Sequence, residues 1–217
     1  MSLNISKGNM YEFITHTWNT IKGECKHDCS YCYMKRWGKL KPVRFDEKEI
    51  KTDLGKGNYI FVGSSCDMFA SDITDEWINK TLAKCSEHEN SYFFQSKNPF
   101  RFTGNGLNFP KNSSFCTTIE TNRFYKEIMG NTPLPHDRAF HLPINNYITI
   151  EPIIDFDLIE FLTILKVAAP KQVNIGADTG RHGLPEPSKE KVMQLIEGLN
   201  EFTTIHNKQN LKRLLSK

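Results

Sequence analysis

An α/β fold of parallel strands joined by crossover helices is what this chain predicts, on three observations. Six short, β-rich apolar runs recur along it, segments of helical periodicity stand between several of them, and polar clusters fall just after the runs. The 217 residues suit one domain, taken as 1–217, with a substantial core, and no apolar run approaches membrane length. With 28 basic and 25 acidic residues the net charge is only +3, which neither demands nor excludes a nucleic-acid partner.

The elements follow in order. Residues 11–17 (YEFITHT) form the first run, and a cysteine-bearing loop, 23–34, comes after it. Residues 58–63 (NYIFVG) form the second, followed by the loop SSCDMFASD and a helix over 74–88 that Thr74 and Asp75 cap. The third is 91–95 (SYFFQ), the fourth 114–119 (SFCTTI), the fifth 147–150 (YITI) and the sixth 172–175 (QVNI). Between the last two, residues 155–169 repeat apolar side chains at helical spacing, and Pro170 closes that helix. A helix pair over 188–200 and 208–215, within a C-terminal helical segment 186–217, completes the chain. The one long irregular stretch, 129–146, reads either as a lid or substrate loop or as a surface excursion.

Cys25, Cys29 and Cys32 stand as CxxxCxxC, with Tyr31 directly before the last. Three thiolates bind three irons of a [4Fe–4S] cubane and leave the fourth open, whereas a structural zinc site takes four protein ligands. Two other uses are open to the same residues. Cys25, His27, Cys29 and Cys32 would make a Cys₃His zinc site, as in a zinc-stabilised nucleic-acid-binding module, and six cysteines would make three disulfides. Zinc knuckles usually draw on two separated pairs, and the first residues, MSLNISKGNMYEF, lack an apolar core with a basic flank and cleavage site. A cytoplasmic, reducing setting is therefore expected, the cluster is favoured, and His27 reads as a solvated loop residue.

The array resembles the signature of the radical S-adenosylmethionine (SAM) superfamily. The ordered motifs THTWNTIKGECKHDCSYCY, FVGSSCDMF, QSKNP, TTIETNR, ITIEPIID and NIGADTG resemble the phage Gp37/Gp68 family of radical SAM-like proteins over about residues 11–180, and more loosely the spore photoproduct lyases, which repair a thymine dimer in DNA. The resemblance implies a partial (βα)₆ TIM-like barrel with its chemistry at the carboxyl ends of the strands. It implies a cluster on Cys25, Cys29 and Cys32, and SAM chelated by the open iron. Reductive cleavage would then give methionine and a 5′-deoxyadenosyl radical that abstracts a substrate hydrogen. An external one-electron reductant such as flavodoxin or ferredoxin would be needed. Without SAM turnover, the same cluster would serve electron transfer or sensing.

Each strand end carries candidates, and each has a plainer use. Gly63, Ser64, Ser65, Cys66 and Asp67 stand where the superfamily commonly has Gly-Gly-Glu, so Ser64, Ser65 and Asp67 are candidates for the SAM ammonium; Asp67 otherwise orients its loop. Cys66 is a candidate hydrogen-atom donor by resemblance to spore photoproduct lyase, or a small buried hydrophobe, as Cys85 and Cys116 read. Lys97 would meet a SAM carboxylate or a substrate phosphate, or is solvated. Glu120 and Arg123 suit the SAM ribose and carboxylate, with helix capping as the use for Thr121 and its neighbours. Glu151 emerges where a carboxylate needs a partner or ligand, and Asp178 either pairs with Arg181 or faces the substrate. Trp18, Tyr31, Tyr33 and Trp37 would shield the cluster, stack on adenine or pack the core. A basic helix over 34–41 (MKRWGKLK) and the tail LKRLLSK would contact phosphates of a nucleic-acid or nucleotide substrate, or are solvated faces.

Overall fold

The computed structural model describes residues 3–8, 10–104, 106–143 and 146–216. β1 (Asn4–Ile5) and β2 (His16–Trp18) open it, and β3 (Ile21–Lys22) and β4 (Arg44–Phe45) pair as an antiparallel ribbon on either side of the cysteine loop. β5 (Tyr59–Val62), β6 (Ser91–Gln95), β7 (Ser113–Thr118), β8 (Tyr147–Ile150), β9 (Gln172–Ile175) and β10 (Thr204–Asn207) follow. The helices are α1 (Asp75–Ser86), α2 (Lys126–Met129), α3 (Pro135–Phe140), α4 (Leu158–Ala168), α5 (Lys189–Asn200) and α6 (Lys212–Leu215). Among the described residues no helix is long and apolar enough to cross a membrane.

Eight strands form one sheet in the order β1-β2-β5-β6-β7-β8-β9-β10; β1 is antiparallel to β2 and every other pairing is parallel. Parallel neighbours need a crossover, so each strand from β5 onward is reached by a connection that returns to the same end of the sheet. All the carboxyl ends of these strands therefore share one edge. The result is a mixed α/β protein with a mostly parallel sheet.

Side chains alternate across the strands, and the two faces differ. One carries Ile60, Val62, Tyr92, Phe94, Ile148, Ile150, Val173 and Ile175, which are buried with Ile78 and Leu82 of α1, Phe161 and Leu165 of α4, and Val192, Leu195 and Leu199 of α5. The other carries Phe61, Phe93, Cys116 and Tyr147, covered by Tyr11 and Ile14. Toward the carboxyl ends this second face turns polar: Gln95 accepts from the Tyr11 hydroxyl at 2.8 Å and donates to Thr118 Oγ1 at 3.0 Å.

Five expectations change. In the first run only His16–Trp18 is strand; Ile14 N donates to Tyr11 O at 3.0 Å, a turn that lays Tyr11 and Phe13 on Phe93 and Tyr147 instead. A seventh parallel strand, β10, lies where only helix was expected; its lone apolar residue, Ile205, gives no run to read, because it is an edge strand. The basic helix over 34–41 is a 3₁₀ turn, Tyr33–Trp37, that ends at Gly38 with φ +81°. The stretch 129–146 contains α3, and its residues 144 and 145 lie outside the described residues. Residues 208–215 split into a 3₁₀ turn, Gln209–Leu211, and α6.

Candidate functional site

The cysteine loop is held from two sides. Glu24 N donates to Lys41 O at 2.8 Å, closing its base beside the β3–β4 ribbon. Opposite, Ser30 N donates to Ile128 O at 2.8 Å, Asn131 N to His27 O at 2.7 Å, and the Cys29 thiol to Met129 O at 3.3 Å. Gly130 makes this possible, since a Cβ there would sit 2.0 Å from His27 O. Cys29 is buried, and Cys25 and Cys32 are half-buried.

His27 is a correction: it is 4% exposed rather than solvated. Its Nε2 lies 2.8 Å from Asp67 Oδ2, and its Nδ1 lies 3.5 Å from Asn131 O. Both ring nitrogens are thus used, which leaves three sulfurs as the loop's donors, the number an open cubane requires and one short of a Cys₃His zinc site. The donor set fits the cluster. The Cys29 thiol has another partner in this conformation, Met129 O, and among the described residues no three His, Cys, Asp or Glu side chains converge as a metal site.

Asp67, just past the end of β5, joins three segments. Besides His27, Oδ2 accepts from Ser96 Oγ at 2.9 Å and Lys97 N at 2.9 Å, and Oδ1 accepts from Phe69 N at 2.9 Å. Burial works to raise its pKa, but the His27 charge and these donors outweigh it and hold the carboxyl below its ordinary value. Its neighbour Cys66 is buried, and its thiol donates to Glu24 O at 3.9 Å. The nearness of the two thiols, Cys25 and Cys66, holds that of Cys25 down, to about 6, and with burial pushes that of Cys66 up. Asn19 Oδ1 accepts from Ser65 N at 2.9 Å and Ser64 Oγ at 3.2 Å, while the buried Ser65 Oγ has no hydrogen-bond partner among the described residues. The Tyr33 hydroxyl donates to Ser64 O at 2.6 Å, tying the residue after Cys32 to the same loop.

Glu120, after β7, is wholly buried. Oε1 accepts from the Tyr31 hydroxyl, and Oε2 lies 2.8 Å from Arg138 Nη1, off the line of a hydrogen bond. Arg138 is also wholly buried and donates to Thr118 O at 2.5 Å. Burial alone would raise the Glu120 pKa; the charges of Arg138 and Lys97 outweigh it and lower it. The Lys97 ammonium sits 5.4 Å from the Tyr31 ring centroid. Burial opposes its charge, and Cys29 and Glu120 together raise its pKa.

The structure thus gathers Ser64, Ser65, Cys66, Asp67, Lys97 and Glu120 around Cys25, Cys29 and Cys32. It pairs the remaining candidates elsewhere. Arg123 holds Asp155 at 2.7 Å and Asp157 at 2.6 Å. Glu151 meets Lys208 at 2.7 Å and Asn210 at 2.6 Å, and Asp178 takes the His182 ring at 2.7 Å rather than Arg181. Thr121 caps no helix: its hydroxyl donates to Asp155 O at 2.8 Å. Sequence reasoning missed Asn19, Arg138 and the burial of His27, because each acts through a partner distant in the chain.

No family model matches the chain, and no curated protein does. The Gp37/Gp68 resemblance therefore rests on the motifs alone. Among solved structures, a spore photoproduct lyase with a cysteine-to-serine substitution superposes at TM-score 0.65 and 12% identity, covering 93% of this chain and 79% of that one. A second spore photoproduct lyase variant, with bound AdoMet and dinucleoside spore photoproduct, gives 0.64 and 10%, covering 93% and 80%. The chain shares the fold of spore photoproduct lyase.

Proposed function

We propose that this protein is a radical SAM enzyme. The observation that carries the proposal is the clamped three-cysteine loop set against the carboxyl ends of β5, β6 and β7, on a fold whose solved relative binds AdoMet. Cys25, Cys29 and Cys32 would hold a [4Fe–4S] cluster, which with SAM supplies the 5′-deoxyadenosyl radical. The chain's own groups then have definite tasks. Lys97, a half-buried cation beside Cys29, receives the SAM carboxylate. The unpartnered Ser65 hydroxyl, with Ser64, offers polar contacts to the amino-acid end of SAM. Asp67 holds the loop and orients Lys97 through its backbone N–H.

The sheet, whose strands from β2 onward are neighbours in chain order, is read as the partial barrel of that superfamily. The polar half of its helix-free face, with Gln95 and Thr118, is where a substrate would lie. A nucleotide or nucleic acid is the substrate class proposed, by analogy with the dinucleoside held by the relative. A cytoplasmic, reducing setting accords with thiols that must stay free for iron. Cys66, buried beside the cysteine loop with its thiol on Glu24 O, is the proposed hydrogen-atom donor.

Anaerobic reconstitution should give a brown protein with about four irons per chain, which dithionite and SAM turn to 5′-deoxyadenosine formation. A colourless zinc protein would overturn the reading, and an intact cluster without 5′-deoxyadenosine would assign the chain to electron transfer. Cys66→Ala should retain both iron and SAM cleavage; loss of iron would show that Cys66 serves the cluster and not the substrate.

A further inference from the structure

Residues 29–45 carry Lys35, Arg36, Lys39, Lys41 and Arg44 and not one Asp or Glu. All five cations are exposed, and among the described residues only Lys35 has an ion-pair partner, Asp28 at 2.6 Å. Two large aromatics stand in the same strip, Trp37 at 69% and Tyr33 at 50% exposure. The Arg36 guanidinium lies over both, 5.1 Å from the Trp37 ring and 5.6 Å from the Tyr33 ring. Apart from that contact with Arg36, a tryptophan left this open contributes little burial to the isolated chain. Trp, Tyr and Arg are the residues that dominate binding energy at protein contacts, and a cationic surround speeds encounter with an acidic partner.

The position of the strip narrows the partner. Its 3₁₀ turn begins directly after Cys32, and at its other end Pro42 and Val43 line a surface cleft of about 380 Å³ together with Cys25. Glu24, Asp28 and Asp72 also line that cleft, so attraction for an acidic partner comes from the strip and not from the cleft itself. A substrate has to meet the strand-end groups, and the strip reaches them only where the Tyr33 hydroxyl meets Ser64 O. It borders two of the three cysteines instead, which is where an electron would enter.

We propose that the strip of Tyr33, Arg36, Trp37, Lys39 and Lys41 is the docking surface for an acidic one-electron carrier protein, an inference that rests on the radical SAM reading above. Docking makes and breaks no covalent bond; the carrier is oxidised by one electron and the metal group is reduced by one. Redox encounters of this kind use small, transient interfaces, consistent with so short a strip.

The test takes the reconstituted protein, reduced flavodoxin as the carrier, and the charge-reversed variant Arg36→Glu/Lys39→Glu/Lys41→Glu. Flavodoxin affinity, measured by titration, should fall about tenfold or more in the variant, and wild-type affinity should weaken as salt rises toward 0.2 M, roughly the range in which exposed charges are screened. Trp37→Ala, a second variant with no charge change, should weaken binding several-fold. Flavodoxin-driven 5′-deoxyadenosine formation should drop in parallel, while the dithionite-driven rate stays at the wild-type value. Unchanged flavodoxin affinity in both variants would overturn the proposal. So would variants that lose affinity for an oligonucleotide but keep flavodoxin, which would give the strip to nucleic acid. If dithionite yields no 5′-deoxyadenosine from wild type, the proposed function fails, and the affinity comparison still decides the docking.

Discussion

Arg138→Met will lower the unfolding free energy by about 3–5 kcal/mol at neutral pH, because it removes the ion-pair partner of the buried Glu120 carboxylate and leaves Lys97 as its remaining cation. The partner loss exceeds the cost of a missing surface pair because neither Glu120 nor Arg138 has access to water. Urea unfolding would measure it. The pH dependence identifies the cause. In wild type the Glu120 pKa is lowered, so its contribution is present above the unfolded carboxyl value near about 4.3 and is lost as pH falls through the lower folded value. In the variant the unpaired carboxyl takes up a proton on burial, so the gap between the two proteins should narrow as pH falls from neutral. Combining Glu120→Gln with Arg138→Met should recover part of the loss. A pH-independent difference would show that lost packing of the arginine stem, not the stranded charge, is responsible.

Asp67→Ala will cost a comparable amount, about 3–5 kcal/mol, and will also loosen the cysteine loop. Four donors lose their acceptor together: His27 Nε2, Ser96 Oγ, Lys97 N and Phe69 N. A buried donor left unmatched costs about 1–3 kcal/mol, less where water enters the space vacated by the carboxylate. Since His27 belongs to the cysteine loop and Ser96 and Lys97 to the end of β6, the variant disconnects the two. Urea unfolding and iron content after reconstitution should both fall. Ser96→Ala, which keeps the other three bonds to Asp67 but also takes the acceptor from Asn98 N, should cost less, about 1–2 kcal/mol, and leave iron content unchanged. Equal losses from the two variants would mean that Asp67 is not the joint described here.

The same two residues mark how far the chain could be read without coordinates. β6, β8 and β9 were legible to the residue, because each is a short apolar run between turn-forming residues. Thr74 announced α1, and its hydroxyl does accept from Trp77 N; α5 was expected over 188–200, and there Ser188 proves to be the cap, its hydroxyl accepting from Lys191 N. β10 was not legible: an edge strand of composition Thr-Ile-His-Asn carries too little apolar character to stand out. In the site, the cysteines were visible because they are consecutive in the chain. The groups that hold them were not, since His27 and Asp67 lie 40 positions apart and Arg138 sits in a stretch that read as irregular. Contacts between separate strand ends leave no period in the sequence, and only the fold reveals them.

The clamp on the cysteine loop also sets an order of events during synthesis. Cys29 leaves the ribosome 100 residues before Met129, the carbonyl that receives its thiol, and Gly130 follows one residue later. At roughly 5–20 residues per second, that interval is on the order of 5–20 s. Throughout it the three thiols exist on an unfinished loop. On the proposed reading, delivery of iron to the finished shape would be a late step, one that waits for more than half of the chain to be made.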